Sequence, residues 1–225
     1  MSCDVTYHPF NSSEMRSLYF ANLDDPWAYL RLGRQFNLEP PVIDALGRAL
    51  TRAGQLPADV PFHEGHGHCL AILAGFVRKY WYLHGRAFSH VLSAHPEFRR
   101  YVTHWRSLLP PAHAESVHSD GILHNGRCGV FMGEDQLRQL SADYITRTET
   151  RAVLNETFQH NLPVFWQAVD FAIENGFGLI EAAGLVCPHP FDPDDTKSML
   201  PLGHCELDGV RLYINAATGQ RRQGE

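Results

Sequence analysis

Three imidazoles fall within six residues in the stretch His63-Glu64-Gly65-His66-Gly67-His68-Cys69, beside a carboxylate and a thiol. Imidazole is a common ligand for zinc, copper, nickel and iron. With His63, His66 and His68 on one transition metal, Glu64 would stand as general base toward a metal-bound water, the chemistry of a metal-dependent hydrolase or oxygenase. The spacing is not that of the familiar zinc helix, which needs two histidines four residues apart with a glutamate after the first. His63 and His66 are three apart, and His68 is five from His63. A helix cannot aim all three the same way, whereas a glycine-softened loop could. The plainer alternative is the start of a helix, with histidines that cap it or face water.

Three other groups of residues could carry chemistry. Cys187 with His189, and His204 with Cys205, offer soft ligands that suit zinc if the two segments are neighbours. In His124-Asn125-Gly126-Arg127-Cys128-Gly129, the Arg and His near Cys128 could lower its pKa and make it a nucleophile. The run Asp192-Pro193-Asp194-Asp195 places three carboxylates in four residues without the spacing of a calcium loop. Two buried cysteines, a tight turn and a solvated loop are the respective structural alternatives. No phosphate-cradling glycine loop and no Gly-x-Ser-x-Gly elbow occurs.

Charge is spread unevenly. The formal net charge is −6, but residues 115–208 hold 15 acidic and 5 basic side chains, while residues 65–114 hold 6 basic and 1 acidic. So acidic a second half argues against a general nucleic-acid binder and favours encounter with a basic protein. Glu134, Asp135, Asp192, Asp194 and Asp195 are the candidate contact residues. The pattern leads to the expectation of a non-catalytic acidic binding protein, of the immunity or inhibitor type, that neutralises a basic partner such as a toxin. That reading needs no cofactor; the metal-dependent enzyme is its alternative.

The five cysteines, Cys3, Cys69, Cys128, Cys187 and Cys205, are odd in number, widely spaced and form no Cys-x-x-Cys pair, so no disulfide framework is expected. No apolar run approaches the roughly 18–20 residues that cross a bilayer. Met1-Ser2-Cys3-Asp4 lacks the basic start and apolar stretch of a signal peptide. The expectation is a cytoplasmic protein with no membrane or nucleic-acid partner.

The elements that must position these residues are read from caps and periodicity. Asn11 with Glu14 forms a capping-box pattern for a short helix through Phe20. Asp25-Pro26 opens a helix that Asn37 stops, and Pro40-Pro41 opens another that Gly54 ends, with Val42, Ile43, Leu46, Ala49 and Leu50 inward. Apolar residues at three and four residue steps predict a long helix from His66 to His84. Shorter helices are expected over 86–94 and from His95-Pro96. The strand Gly129–Met132, a helix over 134–142, a Thr146/Glu149 capping box, a helix from Pro163 to Gly176 and a buried strand over Phe177–Val186 follow. Asp208-Gly209 reads as the turn of a closing hairpin between 205–207 and 210–214. The sum is an α+β fold, mainly α: a helical N-terminal region, then a small mixed or antiparallel sheet packed with helices. The 225 residues suit one domain, 1–225, divisible into a helical region over 1–110 and a mixed α/β region over 128–219 with a linker at 111–127.

Overall fold

A computed structural model describes residues 4–56, 64–104 and 128–223. Among the described residues two sheets are packed with nine helices, so the α+β, mainly α expectation holds. The strands are β1 Asp4–Phe10, β2 Tyr80–His84, β3 Cys128–Met132, β4 Gly178–Ala183, β5 Val186–Cys187, β6 Lys197–Ser198 and β7 Cys205–Glu206. The helices are α1 Ser12–Glu14, α2 Ala28–Gln35, α3 Pro40–Gly54, α4 Glu64–Val77, α5 Phe88–Ala94, α6 Glu134–Thr146, α7 Thr148–Phe158, α8 Leu162–Glu174 and α9 Asp208–Gln223. The main sheet runs β3-β4-β1-β2-β7, antiparallel except for the parallel pair β2 and β7; β5 and β6 form a separate antiparallel pair. Strands from before and after the 111–127 segment therefore share one sheet, with β1 and β2 flanked by β4 and β7; that segment lies outside the described residues.

The local signals at the N-terminal helices work as read. Asn11 Oδ1 accepts from the Glu14 amide at 2.8 Å, and the Glu14 carboxyl accepts from the Asn11 amide, which closes the capping box. The turn continues as a π-helix over Met15–Tyr19. Asn37 stops the α2 segment with a left-handed φ of 50°. Helix α3 spans the expected residues and buries Leu46 and Leu50. A Cβ on Gly33 would lie 2.6 Å from the Ile43 side chain, so glycine lets α2 and α3 close together.

Three expectations need correction. The long helix to His84 ends at Val77, and Tyr80–His84 is a strand. Helical spacing of apolar residues also fits a strand buried on both faces, and the aromatic run Tyr80-Trp81-Tyr82 favours extended backbone. The closing hairpin is not formed: Cys205–Glu206 pairs with Tyr80–Trp81, and Asp208 begins α9. Gly209 serves close approach rather than a turn, since a Cβ there would meet the Tyr82 carbonyl oxygen at 1.7 Å. The Thr146/Glu149 box is also absent; the Thr146 hydroxyl donates back to the Ala142 carbonyl, and α7 begins without a side-chain cap.

Each face of the sheet carries its own core. Phe10, Leu70, Leu73, Phe76, Ile180, Leu185, Val186 and Leu200 pack on the side of α1–α4. Tyr7, Trp81, Phe88, Tyr101, Leu140, Leu154 and Phe165 pack on the side of α5–α8. Helix α4 is buried almost all round from Cys69 to Phe76, as an apolar helix without a polar stripe must be. Among the described residues no helix is long and apolar enough to cross a membrane.

Candidate functional site

The histidine-rich stretch does not gather into one point. Glu64 is the first residue of α4, and His63 lies outside the described residues. Two residues of helix separate His66 from His68, about 200° around the axis. His66 Nδ1 accordingly meets the Tyr19 hydroxyl at 2.8 Å, with Tyr19 and Phe20 ringing it. His68 is buried and turned toward the sheet, where it acts on His8 of β1. Among the described residues no group of three or more His, Cys, Asp and Glu is disposed to hold a metal ion.

The cysteine–histidine quartet is likewise divided. Cys187 sits in the small sheet, whereas Cys205 sits in β7 of the main sheet beside Tyr80. His204 Nδ1 contacts the Gly75 carbonyl at 3.0 Å, and His189 Nδ1 accepts from the Asp192 amide at 2.8 Å. Burial pushes the Cys69 thiol up to about 11 and the Cys205 thiol up to about 12, the reverse of what a nucleophile needs. Cys128 is the first residue of β3, while His124–Arg127 lie outside the described residues.

The Asp192–Asp195 run is an ordered tip. Strands β5 and β6 hold it as a hairpin in the register Val186 opposite Ser198 and Cys187 opposite Lys197. Asp192 Oδ1 accepts from the Asp194 amide at 3.1 Å, and the Asp195 amide donates to the Asp192 carbonyl, fixing a 3-10 turn over Pro193–Asp195. Behind the turn the His189 amide donates to the Thr196 hydroxyl at 3.2 Å. Asp192, Asp194 and Asp195 all face water, and Phe191 beside them is 52% exposed. Met199, Leu202 and Leu207, exposed too, follow along the same stretch of chain.

Glu134 and Asp135 belong to a different surface. They form the first turn of α6, where the helix dipole favours negative charge. With Ser12, Arg16, Gln136 and Gly178 they line a cleft of about 370 Å³, in which Arg16 supplies a cation. Gly178 opens β4, and the acidic hairpin leaves from its other end, beyond Ala183 and the left-handed Gly184. The five candidate contact residues thus fall on two different surfaces.

No family model matches the chain, and neither a curated protein nor a solved structure resembles it closely enough to count as a relative.

The structure also assembles groups that sequence reading missed. At the base of the hairpin the Tyr82 hydroxyl donates to Asp4 Oδ1, and His84 Nδ1 lies 3.2 Å from the same oxygen. The His84 ring stacks on Tyr213 of α9 at 4.1 Å, and its carbonyl accepts from Asn161 Nδ2. Burial, then the bond to Asp4, pushes the Tyr82 hydroxyl well above its ordinary value, and burial raises that of Tyr213, with Asp4 and Cys187 adding to it. Asp4, Tyr82, Cys187 and Tyr213 come from four separate stretches, and no spacing rule links them.

Proposed function

We propose that this protein is a non-catalytic acidic binding protein, of immunity or inhibitor type, that neutralises a basic protein partner such as a toxin through the Asp192–Asp195 hairpin. The observation that supports this reading is the order of the tip: hydrogen bonds from the Asp192, Asp194 and Asp195 amides, one of them to the Asp192 carboxyl, fix the turn of backbone that carries three water-facing carboxyls. An ordered tip loses little conformational freedom on docking. Its charge steers a cationic surface into encounter. Phe191 adds an apolar anchor of the kind that carries binding energy at the centre of an interface.

An arginine-rich peptide serves as the test partner. Its association rate, followed by stopped-flow fluorescence, is expected to fall steeply between about 20 mM and about 500 mM salt as the Debye length shortens. The triple variant Asp192→Asn/Asp194→Asn/Asp195→Asn is expected to remove most of the binding. A rate independent of salt, or a triple variant that binds as the parent does, overturns the reading.

A further inference from the structure

Across the main sheet from the hairpin stands a surface of opposite charge, and it too is held in place. Asp143, buried in α6, accepts from the Tyr101 hydroxyl at 2.6 Å and lies 3.0 Å from Arg147 Nε. Arg100 reaches the same carboxyl at 3.6 Å, lies over the Tyr101 ring and donates to its hydroxyl. Arg151 donates through Nε and Nη2 to the carbonyls of Tyr144 and Ile145 at the end of α6. Each guanidinium is pinned along one edge, and a guanidinium has five donors, so each keeps N–H groups that can face outward. The Arg100 and Arg147 side chains are 37% and 52% exposed, and Arg151 faces water. Glu149 lies between Arg147 and Arg151 in sequence but about 200° round α7 from Arg151.

The two charged elements cannot meet within one molecule. Tyr101, Leu140 and Leu154 root the arginine surface in the core on the α5–α8 side of the sheet. Leu185, Val186 and Leu200 root the hairpin in the core on the other side. We propose that the Arg100–Arg147–Arg151 surface receives the Asp192–Asp195 hairpin of a second copy of this chain, three carboxylates to three guanidiniums, head to tail. The proposal rests on the reading of the hairpin as a docking element and names a second partner for it. Arginine suits that role because its planar fork binds carboxylates two bonds at a time. The contact is heterologous, so every joined pair keeps one free hairpin and one free arginine surface and can grow into a ring or a filament. A basic partner at the hairpin would compete with this contact and release single chains.

Sedimentation velocity of the full chain at about 100 μM tests it. The mean mass is expected to rise with concentration at about 20 mM salt and return to that of a monomer at about 500 mM. Asp192→Asn/Asp194→Asn/Asp195→Asn and Arg147→Gln/Arg151→Gln, each alone, are expected to stay monomeric. Mixed in equal amounts, they are expected to form a heterodimer that grows no further, since each supplies the one surface the other lacks. A parent chain that is monomeric at low salt, association that survives in either variant alone, or a mixture that yields no heterodimer overturns the proposal. The arginine variant should still bind the arginine-rich peptide. If it does while self-association fails, only this inference falls; if the parent chain binds no peptide, the reading of the hairpin falls.

Discussion

On the α5–α8 side of the sheet, buried carboxyls are surrounded by donors. Glu181 accepts from the Tyr7 hydroxyl and from the amides of Phe88 and Ser89, and Asp143 accepts from Tyr101 while holding Arg147. On the α1–α4 side, His8 lies fully buried with Nε2 2.8 Å from the Thr6 hydroxyl and its ring stacked on Tyr80, while Nδ1 has no hydrogen-bond partner among the described residues. The first arrangement ties elements together: Glu181 joins β4 to β1 and to the start of α5. The second leaves an imidazole that cannot accept charge. Burial, with His68 adding to it, pushes His8 down to about 3. One layer is therefore vulnerable to loss of an acceptor, and the other to acid.

The largest effect is expected from Glu181→Ala. The Tyr7 hydroxyl and the Ser89 amide would lose their acceptor in the interior, and the Phe88 amide would keep only the Tyr7 oxygen, at a cost of about 3–5 kcal/mol. Urea unfolding measures this, and a loss below about 1 kcal/mol would mean that the carboxyl contributes little to joining the layers. Asp143→Ala should cost about 2–3 kcal/mol by the same reasoning. It should also weaken self-association, because Arg100 and Arg147 lose their common anchor. Asp143→Asn keeps an acceptor for Tyr101 and is expected to recover part of the stability.

The acid response tests the other layer. In the unfolded chain His8 takes a proton below its ordinary value of 6.5, whereas in the fold it stays neutral until about 3. The unfolded state thus binds more protons in that window, and stability falls as pH falls through it. The share from His8 alone is about 2 kcal/mol between pH 7 and pH 5. His8→Phe, which keeps an aromatic ring against Tyr80, should flatten the stability profile over this window; an unchanged slope would assign the acid response to other groups. The smallest effect on stability is expected at the hairpin. The three Asp→Asn changes face water and should shift unfolding by no more than about 0.5 kcal/mol while removing most binding to cationic probes. A larger loss of stability would make the carboxyls belong to the fold rather than to its contact surface.

The elements legible in the sequence were those marked by backbone chemistry. Asn11 with Glu14, Pro40-Pro41 with Gly54, and the left-handed Gly176 behind α8 declare their ends within a few residues. The strand β1 was not legible, although it is the middle of the sheet. Val5 and Tyr7 alternate with Asp4, Thr6 and His8, but the run is short and Pro9 argues against a central strand; burial of both faces comes only from the tertiary structure. Pro9 is tolerated near the strand's end, where its carbonyl accepts from Arg78. Asp208-Gly209 misled because a glycine that supplies a turn and a glycine that admits a neighbouring backbone look alike in sequence.

Types and local order of residues alone determined the caps, the apolar helix α4, the mainly helical α+β class and the three neighbouring carboxyls of the hairpin. Which groups meet across the chain was decided by the tertiary structure. Helical geometry turned His66 and His68 to different neighbours, and the sheet set the acidic hairpin and the anchored arginines on opposite faces. Local signals act through backbone torsions over a few residues. Partners such as Asp4 with His84, or Tyr101 with Asp143, meet only when separate stretches bury their apolar faces together.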